Sequence, residues 1–312
     1  MNGDLSEHQS MLLKVLKEFD RFCSENHIQY YAWCGTLIGA IRHGGFIPWD
    51  DDIDVAMRRE DYDRFINLRD HVRAGFKIAC YHDGESPYPF AKFYSTRGTI
   101  WEYPQFPFII GPWIDIFPLD NCRDGVKNKK ALEAFHSAMW KYRKSIANST
   151  WKDIGSDLRH GEFVPSLFKI VKKIRYVPFK RRYICQAEAV EESIRSLKGD
   201  EVGDYSVPLE NEVFPKSWFE KCVRVPFENY SITVPGEFDK ILSYMYGDYM
   251  KLPPEHKRQR HGFYFIDLKQ SLGKEEIMSK YSSLLAKESH LSLHIIIDEL
   301  KHRSKVWKVS RK

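Results

Sequence analysis

Carboxylates are concentrated in one short segment, residues 48–57, whose sequence is PWDDDIDVAM. In a β-strand alternate side chains share a face, so Asp52 and Asp54 are predicted to project together while the apolar residues beside them point into a core. Two carboxylates held this close repel each other unless a cation lies between them. A hard divalent ion such as Mg²⁺, which binds oxygen ligands, removes that repulsion. The alternative, an acidic surface turn, accounts for the first two aspartates but not for the alternation.

A Gly-Thr pair, Gly35 and Thr36, lies upstream between a predicted strand and a predicted helix. A helix N-terminus presents N–H groups without intrahelical partners and a partial positive charge, which together suit a phosphate. Thr36 is predicted to cap the helix, and its hydroxyl also suits a phosphate contact. Plain helix capping is the alternative. The order of elements favours the phosphate site, because a strand carrying Asp-x-Asp follows.

A third acidic residue, Asp115, stands in the apolar run WIDIF at 113–117. Because an isolated buried carboxylate is unfavourable, this side chain is predicted to be paired, hydrogen-bonded or metal-bound. Beside Asp52 and Asp54 it would complete a metal site or accept the proton of an attacking hydroxyl. A carboxylate that caps a turn or pairs with an arginine is the alternative. Asp120 is predicted to be a turn residue.

Basic residues close to these acids in sequence, or clustered after a Pro-Pro pair, are candidates for phosphate contacts. These candidates are Arg42, His43, Lys257, Arg258, Arg260 and His261. A solvated basic loop is the alternative for the cluster after the prolines. Lys92, in the central region, is a weaker candidate for the same role.

The periodicity of the sequence predicts the elements that must position these residues. Helices are predicted over 10–27, 37–42, 59–72, 236–246 and 274–286. Strands are predicted over 28–33, 53–57, 76–81, 90–94 and 113–117. From about residue 128 the sequence changes to long helical stretches. This order predicts an α+β fold with a helical insertion and a helical C-terminal tail.

One catalytic domain is predicted over residues 1–270, with 128–200 as a mostly helical basic insertion and 271–312 as a helical basic tail. The insertion contains FKIVKKIRYVPFKRR at 168–182, which has seven basic residues and no acid. Apolar residues among bases are typical of a helix that lies on an anionic membrane surface. Solvated helix faces are the alternative. No nucleic-acid partner is expected, because no helix-turn-helix, zinc-finger or RNP pattern occurs.

The composition excludes several classes of protein. Hydrophobic residues are 43% and charged residues 29%, which is typical of a soluble globular protein rather than a disordered one. No apolar run approaches the roughly 20 residues of a membrane-spanning helix, and no secretory signal is recognised. The six cysteines are scattered without a CxxC pair, so reduced thiols in a cytoplasmic protein are expected. The net charge of +5 is mild.

Three segments together resemble the signature blocks of the LicD family, cholinephosphotransferase-like enzymes related to fukutin and the fukutin-related protein. They are GTLIGAIRHGGFIPWDDDIDVAM (35–57), GPWIDIFPLD (111–120) and YGDYMKLPPEHKRQRH (246–261). The resemblance implies a nucleotidyltransferase-like mixed sheet with flanking helices. It also implies a Mg²⁺- or Mn²⁺-dependent transfer of phosphocholine or a polyol phosphate from a CDP-linked donor. The acceptor would be a hydroxyl of a cell-surface glycan or its lipid-linked precursor.

The resemblance also implies roles for individual residues. Asp52 and Asp54 become catalytic metal ligands, and Asp115 becomes a third catalytic acid that acts as a ligand or as the general base. Donor-phosphate contacts fall to Gly35, Thr36, Arg42, His43, Lys257, Arg258 and His261. Two other functions remain open: a nucleotidyltransferase or DxD-type glycosyltransferase, and a non-catalytic nucleotide-binding protein. A cytoplasmic protein with a peripheral position at the inner face of the membrane is a further expectation, because such a position suits a lipid-linked acceptor.

Overall fold

The structure, a computed structural model, describes residues 6–147, 163–210, 212–258 and 262–277, together with Leu158 and Ser279. Its helices are α1 (Glu7–Glu25), α2 (Cys34–Ile38), α3 (Arg59–Asn67), α4 (Lys129–Ile146), α5 (Phe163–Tyr176), α6 (Lys180–Arg195) and α7 (Phe238–Tyr246). Its strands are β1 (Tyr31–Ala32), β2 (Asp54–Arg58), β3 (Phe76–Ala79), β4 (Ala91–Ser95), β5 (Thr99–Trp101), β6 (Trp113–Cys122), β7 (Glu201–Asp204), β8 (Phe214–Pro215), β9 (Cys222–Phe227), β10 (Tyr230–Pro235) and β11 (Phe265–Asp267).

The main sheet is mixed and is built around the long strand β6. Its order is β1-β2-β6-β4-β3, and β7 pairs with β6 and with β8. Strands β2 and β6 run parallel, whereas the other pairs in this sheet are antiparallel. Two small antiparallel sheets, β9-β10 and β5-β11, complete the strands of the described residues. The predicted α+β fold is confirmed.

Helix α1 packs on the sheet through the apolar residues that its periodicity predicts. Ser6 and Gln9 form a reciprocal capping box at its start, which satisfies N–H groups that the helix leaves unpaired. Phe19 is fully buried, and its ring contacts those of Phe65 and Phe93 edge-on. This packing joins α1, α3 and β4 in one core and fixes the sheet that carries the acidic residues.

The insertion between β6 and β7 contains α4, α5 and α6. Helices α4 and α6 pack against each other and bury a cluster that includes Phe135, Tyr142 and Ile184. Tyr81, which follows β3, belongs to the same cluster and ties the insertion to the sheet. The predicted domain boundaries themselves stay predictions. Within the described part of the chain, no helix is both long enough and apolar enough to cross a bilayer.

The prediction that Asp120 lies in a turn is wrong, because β6 continues past Pro118 to Cys122. The N–H of Asp115 donates to the carbonyl of Ile53 on the β2 side, so by alternation residue 118 faces the opposite side. On that side, β4 pairs with β6 only as far as Ile116, and β7 pairs with β6 only from Leu119 onward. The missing N–H of proline therefore falls in a gap between two partner strands, where a strand tolerates it.

Candidate active site

Three neighbouring strands bring two carboxylates and an ammonium group into one row. The parallel pairing of β2 with β6 sets Asp54 beside Asp115, and the antiparallel pairing of β4 sets Lys92 beside Asp115 on the other side. Paired residues on adjacent strands point to the same face of the sheet. Lys92 Nζ donates to Asp115 Oδ1 at 2.7 Å, and it lies 3.8 Å from Glu102 Oε2.

Lys92 is the residue of this row that the sequence indicated only as a weaker candidate for a phosphate contact. Its side chain is 1% exposed, and Nζ lies 4.1 Å from the ring centroids of both Tyr88 and Trp113. The ammonium group is thus held between two aromatic faces and two carboxylates, which offset its loss of hydration. The buried Asp115 has the partner that its apolar surroundings require. A lysine supplies it, rather than the arginine that the sequence suggested as an alternative.

The two paired carboxylates are held in an environment that disfavours their charge. Burial, with the charges of Asp52 and Asp115, raises the pKa of Asp54 well above its usual range. Burial also raises the pKa of Asp115 to about 6, although Lys92 acts in the opposite direction. A site with this excess of negative charge favours either bound protons or a cation.

The loop before β2 places further carboxylate oxygens close together. Asp50, Asp51 and Asp52 each direct a carboxylate oxygen so that all three atoms lie within 4.8 Å of one another. Strand β2 begins at Asp54, so Asp52 lies in this loop rather than in the strand that the alternation predicted. Its charge nevertheless acts on Asp54. An all-oxygen donor set fits a hard divalent ion.

The Gly-Thr pair contacts this acidic segment, but Thr36 does not cap its helix. Helix α2 begins at Cys34 with Trp33 as its N-cap residue, so Thr36 lies inside the first turn. Its Oγ1 accepts a hydrogen bond from the backbone N–H of Asp54 at 2.9 Å. A Cβ atom on Gly35 would lie 2.8 Å from Asp50 Oδ2. The pair therefore positions the two ends of the acidic segment, one through a hydrogen bond and one by leaving space.

The third sequence block folds back against the first. The guanidinium of Arg258 lies over the Trp49 ring, 5.1 Å from its centroid, next to the acidic loop. Arg42 donates to the carbonyls of Tyr249 and Lys251, at 2.5 and 3.5 Å. These contacts connect the helical segment Gly39–His43, which follows α2, to the loop that carries the basic cluster.

His43 accepts a hydrogen bond from Arg42, and burial together with that positive charge lowers the pKa of His43. Lys257 lies in a short helical turn, Glu255–Lys257, and only the backbone of Lys257 is described. Arg260 and His261 lie outside the described residues. The structure thus places Arg258 beside the acidic loop and Arg42 against residues 249–251, and the roles of all these residues stay predictions.

Similarity to known proteins identifies the family of this chain. The family model described as LicD/FKTN/FKRP, nucleotidyltransferase domain, matches residues 27–153. The lipopolysaccharide cholinephosphotransferase LicD of Haemophilus influenzae is 30% identical over 278 residues, which are 82% of this chain and 95% of that protein. The chain belongs to the LicD family. The predicted nucleotidyltransferase-like fold is confirmed with it.

Other relatives match only part of the chain. An uncharacterized protein of Rickettsia typhi is 39% identical over 76 residues, which are 24% of this chain and 25% of that protein. Ribitol 5-phosphate transferase FKRP of human and mouse is 36% identical over 61 residues, 18% of this chain and 12% of FKRP. As a LicD-family member the protein is a phosphotransferase. The residues matched by the family model include Asp52, Asp54 and Asp115.

Proposed function

We propose that this phosphotransferase moves phosphocholine or a polyol phosphate from a CDP-linked donor to a hydroxyl of a cell-surface glycan or its lipid-linked precursor. The observation that carries the proposal is the row of Asp54, Asp115 and Lys92 beside the acidic loop. The relatives support it, since one is a lipopolysaccharide cholinephosphotransferase and others are ribitol 5-phosphate transferases. A substituted phosphate is the group common to both names.

Asp52, Asp54 and Asp115 are the proposed ligands of a Mg²⁺ or Mn²⁺ ion. The raised pKa values of Asp54 and Asp115 support this assignment, because burial and neighbouring carboxylates disfavour the charged form of each group, which a bound cation would stabilise. Asp50 and Asp51 offer further oxygens nearby. Such an ion, when bound, neutralises charge on the diphosphate of the donor.

The residues of the chain carry the remaining chemistry. The acceptor oxygen forms a bond to the phosphorus of the transferred group, and the bond from that phosphorus to the CMP oxygen breaks. CMP leaves with the electron pair of the broken bond. Asp115, or a neighbouring acid, accepts the proton of the acceptor hydroxyl, and Lys92 holds the carboxylate of Asp115 in place through Oδ1. Arg42, His43, Lys257, Arg258 and His261, with Gly35 and Thr36, are the proposed contacts of the donor phosphates.

The leaving group decides this proposal. We expect purified protein with Mg²⁺ or Mn²⁺ to release CMP from one of CDP-choline, CDP-ethanolamine, CDP-glycerol or CDP-ribitol when a glycan acceptor is present. Chromatography of the nucleotide product checks this. Release of pyrophosphate would instead indicate a nucleotidyltransferase, and a nucleoside diphosphate from a sugar nucleotide would indicate a glycosyltransferase. Donor binding without turnover on any acceptor would favour a nucleotide-binding protein.

Metal binding is expected to depend on pH in a defined direction. Asp115 has a pKa of about 6 and that of Asp54 is also raised, so protons compete with a cation below that pH. Adding Mn²⁺ or Mg²⁺ should raise the melting temperature at about pH 7.5 and have little effect at about pH 5. At an ion concentration of about 100 times Kd the stabilisation is about 2.7 kcal/mol. Thermal unfolding checks this, and an equal shift at both pH values would contradict it.

A further inference from the structure

One helix of the insertion carries large apolar side chains on its exposed side. Phe163, Leu167, Val171 and Ile174 recur every three or four residues along α5, which places them within an arc of about 80°. Their exposed fractions are 68%, 61%, 50% and 65%. Contiguous apolar surface of this kind marks an interaction site.

The apolar surface continues onto neighbouring elements. Val177 and Phe179, in the short turn after α5, are also exposed, as is Trp140 on α4. The Trp140 ring packs edge-on against Tyr176, with 5.8 Å between centroids, which joins α4 to the end of α5. We call this surface the insertion face. It consists of Trp140, Phe163, Leu167, Val171, Ile174, Val177 and Phe179.

The charge around the insertion face is positive. Residues 168–182 contain seven basic residues and no acid, and Arg175, Arg181 and Arg182 are exposed. Lys144 Nζ lies 5.3 Å from the centroid of the Trp140 ring. Burial, with repulsion from Lys144 and Lys169, lowers the pKa of Lys172. A partner that brings negative charge to this surface would relieve that repulsion.

We propose that the insertion face docks on an anionic lipid membrane, with its apolar side chains among the acyl chains and its bases at the headgroup phosphates. An amphipathic helix with apolar and basic surfaces binds such an interface through both kinds of contact. A second copy of the chain fits less well, because pairing two of these faces would bring like charges together. The proposal goes beyond the transfer reaction and does not depend on it.

Vesicle sedimentation with the full chain tests the proposal without any donor or metal. The vesicles are phosphatidylcholine alone, and equal parts phosphatidylcholine and phosphatidylglycerol. We expect binding to the anionic vesicles only, and at least about a tenfold loss of binding in the double variant Leu167→Glu/Ile174→Glu, which adds charge at two exposed apolar positions. The double variant Leu209→Glu/Val223→Glu is the matched control, since both positions are exposed and lie outside the insertion face. It should bind like the wild type.

Three results would overturn the proposal. The first is wild-type protein that does not sediment with anionic vesicles. The second is binding that the Leu167→Glu/Ile174→Glu variant retains in full, which would place the contact elsewhere on the chain. The third is a wild-type oligomer, measured by light scattering, that this variant converts to a monomer without a change in vesicle binding. In that case the insertion face is a contact between copies.

Discussion

An Asp115→Asn variant is expected to release CMP from its CDP-linked donor about 10²- to 10⁴-fold more slowly than the wild-type chain, which is the range for loss of a general base. The amide keeps the shape of the carboxylate and retains an oxygen that Lys92 can donate to, so the β4–β6 pairing should survive. It cannot accept a proton at neutral pH, and it is a weaker ligand for a hard cation. Both effects act on turnover. Quenched-flow or steady-state CMP assays measure the loss.

Asp124→Asn provides the matched control, because that side chain is 80% exposed in the turn that follows β6. The same carboxylate-to-amide change there should leave turnover unchanged. Circular dichroism and melting curves of both variants establish that each is folded. Full turnover by the Asp115→Asn variant would contradict the assignment of Asp115, and full turnover by Asp52→Asn and Asp54→Asn variants would contradict the proposed metal ligands.

The acids of the candidate site were predictable because local sequence carries their signal. Asp52 and Asp54 stand out against the apolar residues that alternate with them, and Asp115 stands out in an apolar run. Each pattern marks a carboxylate in a place where a carboxylate is unfavourable without a partner. Nothing in a single segment, however, shows that β2 and β6 are parallel neighbours.

The partners of these acids depend on pairing between distant segments, which no local pattern shows. Lys92 alternates with the buried Ala91 and Phe93, so its position looks like the solvent side of an ordinary strand. Only the register of β4 against β6 puts it beside Asp115. Thr36 was predicted as a cap because Ser, Thr and Asp favour that position. The helix begins at Cys34, three residues before its predicted start, and the Thr36 hydroxyl accepts a hydrogen bond from the backbone N–H of Asp54 instead.

Asp120, predicted as a turn residue, belongs to a second buried charge cluster that connects the sheet to the insertion. Arg59 donates from Nε and Nη2 to the two carboxylate oxygens of Asp120, both at 2.7 Å, in a bidentate pair. Arg59 Nη1 also lies 3.5 Å from Glu191 Oε1 on α6, and Glu191 contacts His82. Arg59 is 4% exposed and Asp120 is 1% exposed. One guanidinium therefore compensates two buried carboxylates on different elements.

Replacing Arg59 by methionine is expected to lower the free energy of unfolding by about 3–5 kcal/mol, because it leaves Asp120 and Glu191 buried without their shared cation. Urea unfolding at neutral pH measures the change. Arg123→Met is the matched control, since that side chain is 71% exposed and its removal should change stability by less than about 0.5 kcal/mol. If the single variant does not fold, the Arg59→Met/Asp120→Asn variant tests the same cluster, because it also removes the negative charge of Asp120 that the single variant leaves buried.

The effect of Arg59→Met should shrink in acid. Although burial raises the pKa of Glu191, the charges of Arg59 and His82 hold it at about 2, below its usual 4.5. In the wild type, the stability that this carboxylate contributes is therefore complete above about pH 4.5 and is lost as pH falls toward 2. The variant lacks the guanidinium that holds the pKa down, so acidification removes less stability from it. The two unfolding curves should converge as pH falls, and a constant difference between them would contradict the charge-based account.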